Sequence, residues 1–183
     1  MDSLGSFSSL VLALSLVFFS YQPTIFLSAD NALIQKLCSK TVDPGICSNC
    51  LNSDPAGKSA DAKGLAGIAV NCAERDCTKL YNDTRKAADN APAGELKNVL
   101  EDCAERFFDA QSDFQGVRQN VQSGAYDLAK GVIHDQILPQ IDYCIGQFVK
   151  APQLPIPSTV LGGSIGVKDL CDAITVILTN ISG

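Results

Sequence analysis

Residues 95–122 constrain the fold more than any other stretch of the chain. Their apolar positions Leu96, Leu100, Cys103, Phe107, Ala110, Phe114, Val117 and Val121 recur at steps of four and three throughout. Only an α-helix places such a set on one side, and a stripe this regular reads as the face of a helix packed against others. Between the stripe residues stand Glu101, Asp102, Glu105, Arg106, Asp109, Asp113 and Arg118, which read as a solvated outer face. Cys103 lies on the buried stripe, so it must find its partner inside the core.

The next apolar helical pattern covers residues 126–149, through Ala129, Ile133, Ile137, Ile141, Cys144 and Phe148, after a Ser123-Gly124 break. So short a connection makes the two helices antiparallel neighbours. Cys103 lies 21 residues before Gly124 and Cys144 lies 20 after it. At about 1.5 Å per residue they stand at nearly the same height on facing helices, and axes about 8–10 Å apart bring them within disulfide reach. A Cys103–Cys144 bridge stapling two long helices is therefore expected.

The remaining elements follow in order. Residues 30–41 and 46–52 read as short helices flanking an Asp43-Pro44-Gly45 turn, in which Pro presets φ and Gly tolerates a positive one. A bridge between Cys38 and Cys47 would close that hairpin. Residues 53–59 read as a loop and 60–90 as the first long helix, with Leu65, Ile68, Cys72 and Leu80 as its core candidates. Pro139 is expected to kink the third long helix, because it has no N–H and crowds the preceding turn. Residues 151–163 hold three prolines and Gly162-Gly163, and read as an extended strap that lets a last helix, 164–181, return antiparallel. Its inward residues are Leu170, Ile174, Ile177, Leu178 and Ile181. The expected fold is all-α: an up-down-up-down four-helix bundle over 60–181, preceded by a disulfide-linked helical hairpin over 30–58.

The start of the chain reads as a targeting segment. Residues 10–19 (LVLALSLVFF) are apolar apart from Ser15, too short to span a membrane and suited to a signal-peptide core. Asp2 and the lack of Lys or Arg ahead of it depart from the usual pattern. Cleavage after Ala29 leaves residues 30–183 as one domain with chain enough for a core. It also moves the net charge from −6 to −5, since Asp2 is the only charged side chain lost. An acidic chain with no Lys/Arg cluster is a poor partner for nucleic acid, and after cleavage no segment could span a membrane. The eight cysteines agree with an oxidising compartment, although eight allow 105 connectivities. Cys47-Ser48-Asn49-Cys50 has redox or zinc spacing, but Cys72 and Cys77 have the wrong interval for a zinc ribbon, and bridging is the expected use. Two sequons, Asn82-Asp83-Thr84 and Asn180-Ile181-Ser182, are present; Asn82, on an outer helix face, is the candidate glycosylation site.

Catalytic patterns are missing. His134 is the only histidine, so any Ser-His-Asp or Cys-His arrangement would have to use it, and a histidine-rich metal site is excluded. Asp109 with Asp113, and Glu101 with Glu105, are one turn apart on an outer face and read as solubility residues. Residues 162–168 do not fit the phosphate-binding G-x-x-x-x-G-K-[ST] loop and follow no strand. No enzyme, metal or cofactor is expected. What remains is binding, either of a small lipid or of a protein against a rigid helix face. Lipid-transfer proteins carry adjacent Cys-Cys and Cys-x-Cys, and this chain has neither.

The spacing Cys38-x2-Thr41-x2-Pro44-x2-Cys47, then Cys103, Gly124-Ala125-Tyr126, Cys144 and Leu170-Cys171 before an apolar end resembles the plant invertase and pectin methylesterase inhibitor family. Ser53-Asp54-Pro55 followed by Ala60-Asp61-x2-Gly64-Leu65-Ala66 is similar to its pollen-allergen-like invertase-inhibitor members. The resemblance implies a four-helix bundle with an N-terminal hairpin, bridges Cys38–Cys47 and Cys103–Cys144, and Cys171 often unpaired. It implies secretion to the cell wall or vacuole and a one-to-one complex that occludes the active site of a pectin methylesterase or an acid invertase. Cys50, Cys72 and Cys77 are extra, and Cys50 could join the first long helix through either Cys72 or Cys77. Where the family's invertase inhibitors carry Pro-Lys-Phe at the start of the third long helix, this chain has Tyr126-Asp127-Leu128. The reading that follows is a monomeric, secreted inhibitor, leaning to pectin methylesterase because such esterases are often basic and opposite charge speeds encounter. Its candidate partner-binding residues are Tyr126, Asp127, Leu128 and Lys130, with Asp109, Asp113 and Arg118 on the second long helix. The readings of a different class are a structural, allergen-like bundle or a small-ligand carrier.

Overall fold

A computed structural model describes residues 29–182. The expected signal peptide, residues 1–29, lies outside the described residues except for Ala29, the first residue of α1. The elements are α1 (Ala29–Cys38), α2 (Pro44–Ser53), a 3-10 turn (Pro55–Lys58), α3 (Ala62–Asn90), α4 (Glu95–Ser123), α5 (Tyr126–Val132), a π turn (Ile133–Ile137), α6 (Leu138–Lys150) and α7 (Ser158–Ser182). No strand occurs among the described residues. Helices α3, α4, the α5–α6 rod and α7 form the up-down-up-down bundle, and α1–α2 form the hairpin.

The stripe of α4 is the centre of the core. Leu100, Cys103, Phe107, Ala110, Phe114, Val117 and Val121 are buried, and Leu96 is half-buried at the helix start. Opposite them stand Ala129, Ile133, Ile137, Ile141, Cys144 and Phe148 of the α5–α6 rod, all buried. Cys103 and Cys144 are bridged with Cα atoms 4.9 Å apart. Helix α4 lies antiparallel to α3: Lys63 donates to the Gln122 carbonyl at 2.8 Å near one end, and Tyr81 meets Phe108 further along. The α6–α7 pair is held likewise, Lys168 to Asp142 at 2.5 Å.

Two helix starts are fixed by aspartate caps. Asp43 caps α2 by accepting from Ile46 N at 2.9 Å, with Pro44 as the first helical residue. Asp61 caps α3 by accepting from Gly64 N at 2.8 Å. Before Pro139 the rod departs from α geometry: Leu138 N–H reaches back five residues to the Ile133 carbonyl. The π turn is the form the expected disturbance at this proline takes, with Pro139 in the first turn of α6 where its missing N–H is tolerated.

The hairpin is tied to the bundle covalently and by a charged acceptor. Cys38–Cys47 closes it and Cys50–Cys72 fastens it to α3, which decides between Cys72 and Cys77. Val42 N–H donates to Asp172 of α7 at 2.8 Å. Cys77 lies more than a turn further along α3, where its thiol faces the Phe107 carbonyl at 3.5 Å. Cys77 and Cys171 are free and buried. Burial first, and then the charge of Glu74, pushes the Cys77 thiol up to about 12, and burial likewise raises Cys171. Both are therefore unreactive as nucleophiles.

Two boundaries differ from expectation. The hairpin turn lies at residues 39–42, and Pro44 and Gly45, expected in the turn, are the first residues of α2, with Gly45 at an ordinary negative φ, because the Asp43 cap and Pro44 start the helix there. Helix α7 begins at Ser158, not at 164, so the extended strap is confined to residues 151–157. The Gly162-Gly163 pair lies inside the helix. A Cβ on Gly163 would stand 2.9 Å from Leu80 Cδ1, so the glycine lets α7 approach α3 closely. Val160, fully buried in the first turn of the helix, helps hold that start down. Packing outweighs the roughly 1 kcal/mol that each glycine costs a helix.

Candidate functional site

The turn between α4 and α5 is rigid by construction. Gly124 takes the left-handed conformation, φ 80°, after the last residue of α4. Its N–H reaches Val121 O at 3.2 Å, and Ala125 N–H reaches Asn120 O at 2.8 Å. These paired bonds satisfy the orphan carbonyls of α4 and aim the chain back along the bundle. Tyr126 follows half-buried against the core, and Ala129 is buried, so the first turn of α5 is seated. Between them Asp127 and Leu128 project outward, and Leu128 is 65% exposed. Lys130 pairs with Asp127 at 2.9 Å, one turn apart, which holds both side chains beside Leu128. Tyr126, Asp127, Leu128 and Lys130 therefore form one patch.

The other three candidates lie apart from it. Asp109 is about 21 Å along α4 from the turn at 1.5 Å per residue. It lines a groove of about 360 Å³ between α3 and α4 with Tyr81, Arg85, Glu105 and Phe108. Asp113 is half-buried; burial and then the neighbouring Asp109 charge raise its pKa above the ordinary carboxylate value. Arg118 is turned toward α3, where it pairs with Glu74 and donates to Asn71 Oδ1 at 3.2 Å. Its guanidinium is thus engaged within the chain. Pattern reading missed Phe108, 52% exposed and tilted against Tyr81 with ring centroids 5.7 Å apart. The available signal was an aromatic one position off the α4 stripe.

Among the described residues nothing else assembles into reactive chemistry. His134 is exposed on the π turn, beside a shallow cleft lined also by Val42, Leu138, Lys168 and Asp172. Cys47 and Cys50 pair with Cys38 and Cys72, and not with each other, so the C-x-x-C is structural. No group of three or more His, Cys, Asp or Glu among the described residues could hold a metal ion. No helix among them is long and apolar enough to cross a membrane.

A rigid bundle with a projecting turn can serve recognition, and comparison with known proteins gives the class. Residues 32–172 match the family described as plant invertase/pectin methylesterase inhibitor. The chain belongs to that family. A pectinesterase inhibitor of Actinidia deliciosa is 28% identical over 181 residues, covering 96% of this chain and 95% of that protein. A cell wall/vacuolar inhibitor of fructosidase from Arabidopsis thaliana is 29% identical over 182 residues, covering 95% and 98%. Among solved structures, a mutant form of a pectin methylesterase inhibitor from Arabidopsis superposes with a TM-score of 0.67 at 20% identity, over 80% of this chain and 95% of that one, which establishes the shared fold. The family is one of enzyme inhibitors, so the chain is not itself an enzyme. Membership supports an inhibitor of pectin methylesterase or invertase whose partner is that target enzyme.

Proposed function

We propose that this protein is a secreted inhibitor of pectin methylesterase that works as a monomer, one to one, by laying the α4–α5 turn and the start of α5 over the enzyme's cleft. The observation that carries the choice of surface is Leu128, an exposed apolar side chain on a helix whose backbone is fixed by Gly124 and whose flanking charges are paired. Preorganised apolar anchors ringed by polar groups bind with little ordering cost. The choice of esterase over invertase rests on two features. Tyr126-Asp127-Leu128 stand where the resemblance puts Pro-Lys-Phe in invertase inhibitors, and the acidic chain would be steered toward a basic enzyme. The comparable likeness to a fructosidase inhibitor makes invertase the second target to test.

The test titrates oxidised protein into a plant pectin methylesterase and, in parallel, a cell-wall invertase at mildly acidic pH. Esterase activity is expected to fall to completion at one equivalent, with invertase unaffected. Leu128→Glu should weaken inhibition by about tenfold or more, as removal of a central anchor does. Loss of invertase activity alone would reassign the target. If neither activity falls with folded protein, the inhibitor reading for these enzymes is wrong.

A further inference from the structure

The groove between α3 and α4 has an unusual makeup for an outer bundle face. Its floor is the Tyr81–Phe108 aromatic pair, with Phe108 half open to solvent, and its rim is Arg85, Glu105 and Asp109. Aromatic faces with a few charged groups around them suit a pyranose ring. The ring's apolar C–H face lies on the electronegative π surface, and its hydroxyl and acetamido groups reach the polar rim. Beside this groove stands the sequon Asn82-Asp83-Thr84. Asn82 is exposed. It precedes the rim residue Arg85 by three positions, so those two side chains are surface neighbours, while Tyr81 lies about 100° round the helix from it; a sugar on Asn82 reaches the groove across Arg85. Asp83 points elsewhere, paired with Lys79 at 2.5 Å.

We infer that Asn82 carries an N-linked glycan whose first GlcNAc packs into the Tyr81–Phe108 groove. The transfer forms a bond from Asn82 Nδ2 to C1 of a lipid-diphosphate-linked oligosaccharide. The C1–O bond breaks, the lipid diphosphate leaves with the electron pair, and the amide proton passes to a base of the transferase. Thr84 dates this step. Its side chain is fully buried and its hydroxyl donates to the Leu80 carbonyl at 2.7 Å. The hydroxyl that marks a sequon is therefore out of reach once α3 has docked, and the sugar must be added before the bundle folds. Asn180, near the chain end, has an exposed side chain but no aromatic floor: its neighbours in a shallow cleft are Lys40, Thr175, Val176 and Thr179.

The test expresses the full chain in a plant secretory system. Peptide mass mapping should find a hexosamine-bearing glycan on the peptide with Asn82 and none in Asn82→Gln. A double-mutant cycle on purified proteins then reads the packing. Wild type should melt a few degrees above N82Q, whereas Phe108→Ser and the F108S/N82Q pair should melt together. Phe108 is 52% exposed and lies outside the buried core, so its replacement is expected to keep the fold, which helical circular dichroism of the unglycosylated protein checks. Bacterially made, folded protein should be refused by an oligosaccharyltransferase that modifies the reduced, unfolded chain. Secreted protein without sugar at Asn82 would overturn the inference. So would an equal glycan-dependent melting difference in the presence and absence of Phe108, or ready modification of the folded chain.

Discussion

Helices α4 and α7 are both long, both buried along one side, and held in the same bundle by different means. Helix α4 presents an unbroken apolar stripe, carries Cys103 in it, and is stapled to α6. Helix α7 opens on Ser158 after a proline, carries Gly162 and Gly163 in its second turn, and buries Ser164 there with no partner for its hydroxyl among the described residues. The first is held by side-chain volume and a covalent link. The second also buries an apolar set, Val160, Val167, Leu170, Ile174, Ile177 and Leu178, and in addition approaches α3 closely at Gly163, where an added methyl would meet Leu80 Cδ1 at 2.9 Å. A helix can thus be placed by what its sequence omits as well as by what it supplies.

Breaking the staple should have the largest effect. The Cys103–Cys144 loop spans 41 residues, and loop-closure entropy alone makes it worth about 4 kcal/mol. The corresponding figure for the hairpin bridge, with a separation of 9, is about 2.6 kcal/mol. C103S/C144S should therefore lower the urea midpoint of the whole bundle. C38S/C47S should raise amide exchange in α1 and α2 first and leave α4 protected. If the two pairs of substitutions move the same amides, the hairpin and the bundle are one cooperative unit.

Next in size is the close approach. Gly163→Ala should cost about 1–3 kcal/mol, the usual range for overpacking a core, despite alanine's higher helix propensity. Gly162→Ala, with nothing within 4 Å of the new methyl, should instead stabilise by about 1 kcal/mol. Opposite signs at adjacent glycines, read as Tm shifts, would isolate packing from propensity; equal signs would remove the contact from the account. Ser164→Ala should also stabilise, by about 1 kcal/mol, because it removes a buried hydroxyl left without a partner.

The same contrast explains which features are legible in the sequence. The α4 stripe, its partner stripe and the Cys103–Cys144 bridge follow from apolar spacing and helix rise, because one face of each helix meets one neighbour. The start of α7 does not, because a glycine pair after prolines looks like a loop unless the opposing Leu80 is in view. The partner of Cys50 stays open in the sequence since Cys72 and Cys77 are both on α3, and the choice depends on how the 3-10 turn at Pro55–Lys58 seats the hairpin. Of the candidate site, the projecting start of α5 is readable as a turn followed by an apolar helix residue. The engagement of Arg118 with Glu74 and the separation of Asp109 from the turn depend on how α3 and α4 face each other, which sequence spacing along either helix does not contain.

The smallest effect concerns charge on α7. Asp169 has a pKa raised by partial burial first, and then by Asp43 and Asp172, with Lys168 opposing. An acid whose folded pKa lies above its unfolded value binds its proton more tightly in the native state. Its repulsion is therefore absent at low pH and costs stability as pH rises through the folded pKa. Asp169→Asn should stabilise slightly at neutral pH, and the gain should vanish below the unfolded pKa of about 3.9. Asp172 tests the opposite role in the same cluster, because its carboxylate accepts from Val42 N–H and anchors the hairpin. Asp172→Asn should loosen α1–α2 in amide exchange while Asp169→Asn tightens them. Urea midpoints of the two variants from acid to neutral pH would show the difference, and a shared sign would mean that net charge, and not the Val42 anchor, governs how the hairpin sits on α7.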